Sequence, residues 1–297
     1  MSTPAINNLQ WELIVDRLHA GRCVPFLGAA VNVESEERKY PGLRLGGDLA
    51  RLLAEKVQAT GELPRLALEY EVQTDRPFLV DFLTSNLDEA KVAPSPALGV
   101  LAKLPFRLVI TTNYDNLLER ALDLAARDYR ILVQPAGGLD DTPETRTALT
   151  ALEQYEGTIV YKIHGTFDHE AATRARYGVD VAPEVTITED DYIDFLTTHD
   201  SESGKLGIPK LVKTLVTPST LLFLGYSLQD WDFRTIFRGL VGRLNKHNAR
   251  TSFAILDKPS NAWIKYWSFE RVNIVQMDVY AFCDELESRY FAKYSNG

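Results

Sequence analysis

The sequence predicts an α/β protein with a doubly wound parallel sheet and a smaller helical insert module. Short apolar runs alternate with helical patterns over most of the 297 residues, which is typical of a parallel sheet covered by helices on both faces. The stretch between the first two apolar runs has helical spacing and no strand pattern. We therefore expect an insert of helices at that point of the chain.

The predicted strands are short apolar runs, at residues 23–27, 108–110, 129–133, 158–163, 220–224, 251–256 and 273–277. The predicted helices have apolar residues at helical spacing, at residues 8–20, 49–57, 97–104, 117–122, 188–196, 210–215, 231–244, 262–271 and 279–294. Residues 63–87 are predicted to be helical but broken by Pro64 and Pro77, because proline interrupts a helix interior. Residues 136–147 are rich in Gly, Asp and Thr and are predicted to be a loop.

Composition excludes several classes of protein. No apolar run reaches the roughly 18 residues of a membrane span, and the first residues have no basic and apolar signal pattern. The formal net charge of −9 argues against a general nucleic-acid-binding surface. Cys23 and Cys283 are the only cysteines, too few for a structural zinc site. We expect them to be reduced in a cytoplasmic protein.

The central stretch is RLVITTNYDNLLERAL, residues 107–122. A buried strand ends there in the polar turn Thr111-Thr112-Asn113-Tyr114-Asp115, and a helix follows. In open α/β sheets, ligands bind in the loops that follow the carboxyl ends of the strands. Asn113 and Asp115 are therefore candidate site residues, although either could simply cap the helix.

Three other strand ends carry small or polar residues: Gly28, His164 and Gly225. Small residues after a strand let backbone amides approach a phosphate, but a tight strand exit explains Gly28 equally. His164 could move a proton near neutral pH or be a structural histidine. Ser227, which follows Gly225 closely, could contact a ligand or cap a helix. If the sheet is parallel, all four strand ends lie along one edge.

Two further patterns limit the chemistry. The dinucleotide fingerprint G-x-G-x-x-G is absent, which argues against an ordinary hydride-transfer dehydrogenase. Thr188 and Asp191 have the spacing of a capping box, so the acidic residues there are expected to begin a helix. No metal site is predicted.

Taken together, the strand-end motifs resemble those of the sirtuin-like superfamily, in its bacterial branch. The glycine-rich G-A-G entry of that family resembles Gly28-Ala29-Ala30, and its T-Q-N-x-D motif resembles Thr111 to Asp115, with Thr112 in place of glutamine. Its K-x-H-G motif matches Lys162 to Gly165 and its G-x-S-L motif matches Gly225 to Leu228. The motifs occur in family order and span nearly the whole chain.

The resemblance implies NAD⁺ as the substrate. Asn113 and Asp115 would contact its nicotinamide end, and His164 would act as the general base on the ribose or on a water. The implied NAD⁺-binding residues share the strand-end loops: Gly28, Ala29, Ala30, Asn32, Thr112, Asp115, Gly225, Tyr226 and Ser227. Within this set, residues 28–30 would lie near the phosphates, and Gly225 and Ser227 near the adenosine.

The chain departs from the family pattern in two respects. Ala30 replaces the second glycine of the entry motif, and Asn32 stands where serine is usual. The two cysteine doublets of deacylase sirtuins are missing, so we expect a Rossmann-like fold with no zinc ribbon. Because that ribbon helps to form the acyl-lysine groove, we expect water to receive the ADP-ribosyl group.

The resemblance implies an NAD⁺ glycohydrolase that depletes NAD⁺ in anti-phage defence. Control by homo-oligomerisation or by a partner such as a HerA-type ATPase is implied as well. Two alternatives remain, an NAD⁺-dependent protein deacylase without zinc and a nucleotide-binding sensor or scaffold subunit with little turnover. We expect one domain over residues 1–297, with a core at about 8–34, 97–135, 157–168 and 205–297 and inserts at about 35–96, 136–156 and 169–204.

Overall fold

The computed structural model describes residues 6–87, 91–167, 185–197, 205–228, 234, 237 and 250–294. Its strands are β1 (Cys23–Leu27), β2 (Leu108–Thr111), β3 (Tyr129–Val133), β4 (Leu139–Asp140), β5 (Thr158–Lys162), β6 (Lys205–Leu206), β7 (Thr220–Leu224), β8 (Ser252–Leu256) and β9 (Val272–Gln276). Its helices are α1 (Asn8–His19), α2 (Gly46–Val57), α3 (Leu63–Gln73), α4 (Arg76–Leu87), α5 (Pro96–Lys103), α6 (Leu117–Leu124), α7 (Pro143–Gln154), α8 (Glu189–Thr197), α9 (Lys210–Val216), α10 (Asn261–Phe269) and α11 (Val279–Tyr294). None of these helices is long and apolar enough to cross a membrane.

Seven strands form one parallel sheet in the order β3-β5-β2-β1-β7-β8-β9. Successive side chains of a strand point to opposite faces. In β1, Val24 and Phe26 join one buried cluster while Cys23 and Leu27 join the other. Helices cover both faces, which confirms the predicted doubly wound α/β fold.

The strand order reverses direction at β1. On one side of β1 the sheet continues through β2 and β5 to β3, and the chain reaches the edge strand β3 before it returns to β5. On the other side β7, β8 and β9 extend the sheet in chain order. In open α/β sheets, ligands bind at such a switch point, outside the carboxyl ends of the strands. The four predicted strand ends follow β1, β2, β5 and β7, and these strands are adjacent in the sheet.

Helices α2, α3 and α4 form the insert between β1 and β2. Their buried residues Leu53, Leu66 and Leu83 belong to the same core cluster as one face of the sheet. The predicted interruption near Pro77 is confirmed, since α3 ends and α4 begins just before it. Neither Pro64 nor Pro77 lies in a helix interior, however, because both occupy the first turn of a helix. A first-turn amide has no helical partner to lose, so proline is tolerated there. The helical material is interrupted at Thr74, which ends α3.

The prediction of a loop over residues 136–147 holds for 136–138 and 141–142 but is wrong for the rest of that range. Strand β4 pairs antiparallel with β6, and helix α7 begins at Pro143. The Thr142 side chain accepts a hydrogen bond from the backbone N–H of Thr145 at 3.2 Å. Threonine at the N-cap followed by proline is a standard helix start. The predicted helix at 231–244 lies outside the described residues apart from 234 and 237.

Candidate active site

The loops that follow β1, β2, β5 and β7 surround one cavity of about 800 Å³. Asn113 and His164, which are far apart in the chain, both line it. Seven other predicted site residues also line this cavity: Ala29, Ala30, Thr112, Asp115, Gly225, Tyr226 and Ser227. Gly28 and Asn32 are not part of its lining. A cavity of this size is in the usual range for a small-molecule site.

Gly28 and Gly225 bring the loops after β1 and β7 into direct backbone contact. Gly225 has a φ of +76°, and a Cβ atom on it would lie 2.8 Å from the Gly28 carbonyl oxygen. A Cβ atom on Gly28 would in turn lie 2.6 Å from the Gly225 carbonyl oxygen. Residues with a side chain fit neither position, because such distances are below van der Waals contact. These glycines therefore serve close packing of the loops.

Several amides of the entry loop are engaged within the protein. The Gly28 N–H donates to the Leu224 carbonyl at 2.9 Å, the Ala30 N–H to the Gly225 carbonyl at 3.0 Å, and the Val31 N–H to the Gly28 carbonyl at 3.2 Å. These bonds hold the loop shape with Ala29 and Ala30 at the cavity surface. That this loop contacts phosphates stays a prediction.

Asn32 is fully buried outside the cavity lining. Among the residues that the structure describes, neither polar atom of its side chain has a hydrogen-bond partner. Its backbone carbonyl accepts from the Leu43 N–H at 2.8 Å. Leaving a buried amide unpaired costs about 1–3 kcal/mol for each group. The position of Asn32 supports a role inside the loop and not direct contact with a ligand in this cavity.

The Asn113 side chain is fixed by its neighbours. Its Nδ2 donates to the Gly28 carbonyl at 3.3 Å, and its backbone N–H donates to Thr111 Oγ1 at 3.0 Å. The carboxamide thus spans the loops after β1 and β2 and stays half-buried at the cavity.

Asp115 combines two positions that sequence reasoning treated as alternatives. Its Oδ1 accepts from the Leu117 N–H at 3.0 Å, which satisfies an amide at the start of α6. It also lines the cavity. Burial raises the pKa of this carboxyl, and the positive charge of Lys162 opposes that rise.

His164 is a buried and neutral imidazole. Burial lowers its pKa from 6.5 to about 3. Tyr192 and Phe195 of α8 pack edge-on against the ring, with centroid distances of 5.2 and 6.4 Å. Its Nε2 atom has no hydrogen-bond partner within the described ranges. A neutral ring nitrogen without a partner is able to accept a proton or a hydrogen bond, although the Nε2 atom itself is buried in this conformation.

Thr112, which replaces the usual glutamine, pairs with another predicted site residue. Its Oγ1 lies 2.9 Å from the Tyr226 hydroxyl, and that hydroxyl donates to the Leu27 carbonyl at 3.0 Å. The loops after β1, β2 and β7 are therefore joined at this point as well. This pairing was not predicted, because nothing in the sequence relates residues 112 and 226.

Sequence reasoning also missed the outer wall of the cavity. The insert contributes it, through residues before and along α2 and at the start of α3: Leu43, Arg44, Leu45, Gly46, Leu49, Ala50, Arg51 and Leu63. The helical insert was predicted, but its contact with the cavity has no local sequence signal.

The predicted capping box of α8 is confirmed. The Asp191 N–H donates to Thr188 Oγ1 at 3.2 Å, and the Thr188 N–H donates to Asp191 Oδ2 at 2.9 Å. Among the described residues, no group of three or more His, Cys, Asp or Glu side chains is placed to hold a metal ion.

A parallel sheet covered by helices on both faces, with a ligand-sized cavity at its switch point, defines a doubly wound α/β protein. The family model of the SIR2-like domain matches residues 107–274, more than half of the chain. The chain belongs to that family, which confirms the resemblance predicted from its motifs.

Curated relatives include bacterial proteins named for NAD⁺ hydrolysis and defence. The chain is 26% identical over 245 residues to the NAD(+) hydrolase ThsA of Enterococcus faecium, covering 82% of this chain and 45% of the relative. It is 30% identical over 189 residues to the ThsA of Acinetobacter baumannii, covering 61% and 32%. It is 26% identical over 221 residues to Defense-associated sirtuin 2 of Bacillus subtilis, covering 73% and 18%.

The chain thus spans less than half the length of these relatives. Among solved structures, a Sir2 homolog–NAD complex matches with a TM-score of 0.51 and 13% identity, over 99% of this chain and 97% of that one. At that identity the likeness shows the fold alone.

Proposed function

We propose that this chain is an NAD⁺ glycohydrolase, which converts NAD⁺ and water to nicotinamide and ADP-ribose. The observation that carries the proposal is the convergence of Asn113 and a neutral His164 on one cavity. Relatives named NAD(+) hydrolase support the same reaction. A cavity of about 800 Å³ is large enough for a dinucleotide-sized ligand.

The reaction breaks the bond between the ribose C1′ and the nicotinamide nitrogen. The bonding electrons go to the pyridinium ring, which leaves as neutral nicotinamide, and positive charge develops on the sugar. Water then bonds to C1′ and loses a proton. The buried Asp115 side chain and the fixed Asn113 carboxamide contact the nicotinamide end and orient the leaving group.

His164 accepts the proton from the attacking water. Because burial keeps its imidazole neutral, the unpaired Nε2 is in the form that accepts a proton. The T-shaped contacts of Tyr192 and Phe195 hold the ring and exclude bulk water from that side. Asn113 is held by the Gly28 carbonyl, so its carboxamide needs no reorganisation during the reaction.

The test is chromatographic separation of nicotinamide and ADP-ribose after incubation of the purified protein with NAD⁺. His164→Ala and Asn113→Ala should each lower the rate at least about 100-fold while the circular dichroism spectrum is retained. His19→Ala and Asn261→Ala are matched controls, because neither residue lines the cavity. Full activity in His164→Ala and Asn113→Ala would refute the proposed roles.

Names of relatives that refer to defence support a role as an NAD⁺-depleting effector of anti-phage defence in the bacterial cytoplasm. An activity that removes NAD⁺ needs control, and we propose that homo-oligomerisation or a partner ATPase of the HerA type supplies it. Light scattering with and without the candidate partner, together with nicotinamide release, tests this part. An uncontrolled, fully active monomer would contradict it.

One observation favours a second candidate function, a nucleotide-binding sensor subunit. A base whose pKa is about 3 takes a proton from water only weakly. If calorimetry shows that NAD⁺ binds and chromatography shows no product over hours, the sensor replaces the hydrolase as the conclusion.

A further inference from the structure

A charged pair lies in the core directly beneath the candidate site. Lys162, the last residue of β5, is 0% exposed, and Glu119 on α6 is 5% exposed. The Lys162 Nζ donates to Glu119 Oε1 at 2.8 Å and to the Asp115 backbone carbonyl at 2.5 Å. Neither Lys162 nor Glu119 lines the cavity.

Stability alone does not explain a lysine at this position. Transferring two charges out of water costs several kcal/mol for each ion, and their attraction often only offsets that cost. An apolar pair of similar volume is frequently as stable or more stable. What the ammonium supplies is directional hydrogen bonding, here to a backbone carbonyl in the loop after β2.

The bond from Lys162 to the Asp115 carbonyl joins the two segments that carry the proposed catalytic groups. Lys162 lies two residues before His164, and Asp115 lies two residues after Asn113. Thr111 and Lys162 are register partners at the ends of β2 and β5. From that point the loop after β2 and the turn after β5 separate, and the Lys162 side chain reaches across to Asp115.

Other bonds between these segments attach to earlier parts of the loop. The Ile163 N–H donates to the Thr111 carbonyl at 3.0 Å. Thr166 Oγ1 and the Phe167 N–H donate to the Tyr114 carbonyl at 2.9 and 3.3 Å. Lys162 therefore fixes the end of the loop where α6 begins, and Glu119 fixes the ammonium from within that helix.

We infer that Lys162, held by Glu119, is a positioning residue that sets the Asn113 loop relative to the His164 turn. This inference rests on the proposed function. Neither side chain touches the substrate, so their removal should change the rate of the chemical step more than the affinity for NAD⁺. A displacement of about 1 Å in a catalytic group can lower a rate about 100-fold.

The experiment replaces both charges together, as Lys162→Met with Glu119→Leu. Because both buried charges are removed together, the melting temperature is expected to fall only by the few degrees that the lost donor to the Asp115 carbonyl costs. The Kd for NAD⁺ from calorimetry should change less than about 3-fold, whereas kcat for nicotinamide release should fall about 100-fold. Amide hydrogen exchange at residues 113–116 should become faster in the protein without NAD⁺.

A matched control lies on the same strand. Tyr161→Phe removes a buried hydrogen bond of 3.0 Å to Gln134 Oε1 on the opposite face of the sheet, and kcat should stay within about 3-fold. Lys162→Arg is the second variant, because it keeps the charge beside Glu119 while changing the donor geometry. It should fold and lose about 10-fold in kcat.

The inference and the proposed function fail separately. If the wild-type protein releases no nicotinamide, the proposed function is wrong. The inference is then still decided by comparing amide hydrogen exchange at residues 113–116 in the wild type and in the variants. The inference is overturned if a Lys162 variant folds and its kcat equals that of the wild-type protein. The inference is also overturned if amide hydrogen exchange at residues 113–116 is as slow in the folded Lys162 variant as in the wild-type protein.

Discussion

The side-chain nitrogen of Asn113 donates a hydrogen bond to the backbone carbonyl of Gly28 at 3.3 Å. This bond joins the loop after β2 to the loop after β1, and Gly28 in turn packs against Gly225. Three strand ends are thus connected through one amide and two glycines. The orientation of Asn113 therefore depends on how closely the two glycine loops approach each other.

The first prediction concerns that close approach. Gly225→Ala should lower the free energy of unfolding by about 2–4 kcal/mol. The added methyl group would clash with the loop after β1, and alanine is strained in the left-handed backbone conformation of this residue. The structural basis is the φ of +76° and the predicted Cβ contact with the Gly28 carbonyl at 2.8 Å. Urea unfolding followed by circular dichroism measures the change.

Gly99→Ala is the control for that experiment. Gly99 lies within α5, and a Cβ atom there would meet no atom within 4 Å. Alanine in such a helix should raise the free energy of unfolding by up to about 1 kcal/mol. Equal changes in the two variants would show that loop contact at Gly225 is not what requires glycine.

The second prediction concerns the support of His164 from the insert. Asp191 Oδ2 accepts from the N–H groups of Ile187 and Thr188, both at 2.9 Å, and pairs with Arg76 of α4 at 2.9 Å. Asp191 thereby anchors α8, whose Tyr192 packs against the imidazole. Asp191→Ala should lower the free energy of unfolding by about 1–2 kcal/mol and nicotinamide release about 10-fold.

Asp190→Ala is the matched control, since Asp190 is an exposed carboxylate on the same helix turn. It should leave both the free energy of unfolding and the rate near the wild-type values. If the two aspartate variants behave alike, general loss of acidic charge at the helix start explains the effect, and the anchoring role is wrong.

The sheet could be predicted from sequence because its strands carry their own signal. Each is a short apolar run, and the polar residues that end them, such as Asn113 and His164, mark the carboxyl edge. The parallel sheet then places those residues together without further information. The motifs that resemble the sirtuin-like superfamily lie at these same strand ends.

What could not be predicted depends on contacts between distant residues. Hydropathy places a lysine on the surface, yet Lys162 is buried because Glu119 and the Asp115 carbonyl accept its hydrogen bonds. The two-residue strands β4 and β6 pair across a long stretch of chain and have no local pattern. Thr142 followed by Pro143 is a sequence pattern that begins helices, and α7 begins there. The pattern was overlooked because residues 136–147 have the composition of a loop.

The third prediction follows from the pKa of His164. Its value of about 3 in the folded protein lies below the value of about 6.5 expected in the unfolded chain. Between these values the unfolded state binds more protons than the folded state, so the free energy of unfolding falls as the pH falls. The stabilising contribution is fully present above pH 6.5 and is lost progressively on acidification towards pH 3.

Urea unfolding of the wild type and of His164→Asn at several pH values isolates this contribution, because other titrating groups are common to both proteins. Between about pH 7.5 and pH 4.5, the wild type should lose about 2–3 kcal/mol more than the variant. Over the same range nicotinamide release should show no loss with a midpoint near pH 6.5, since His164 stays neutral in the folded protein. Parallel stability curves for the two proteins would mean that His164 is solvated and charged at acidic pH, and a proton-accepting imidazole held neutral by burial would then be excluded.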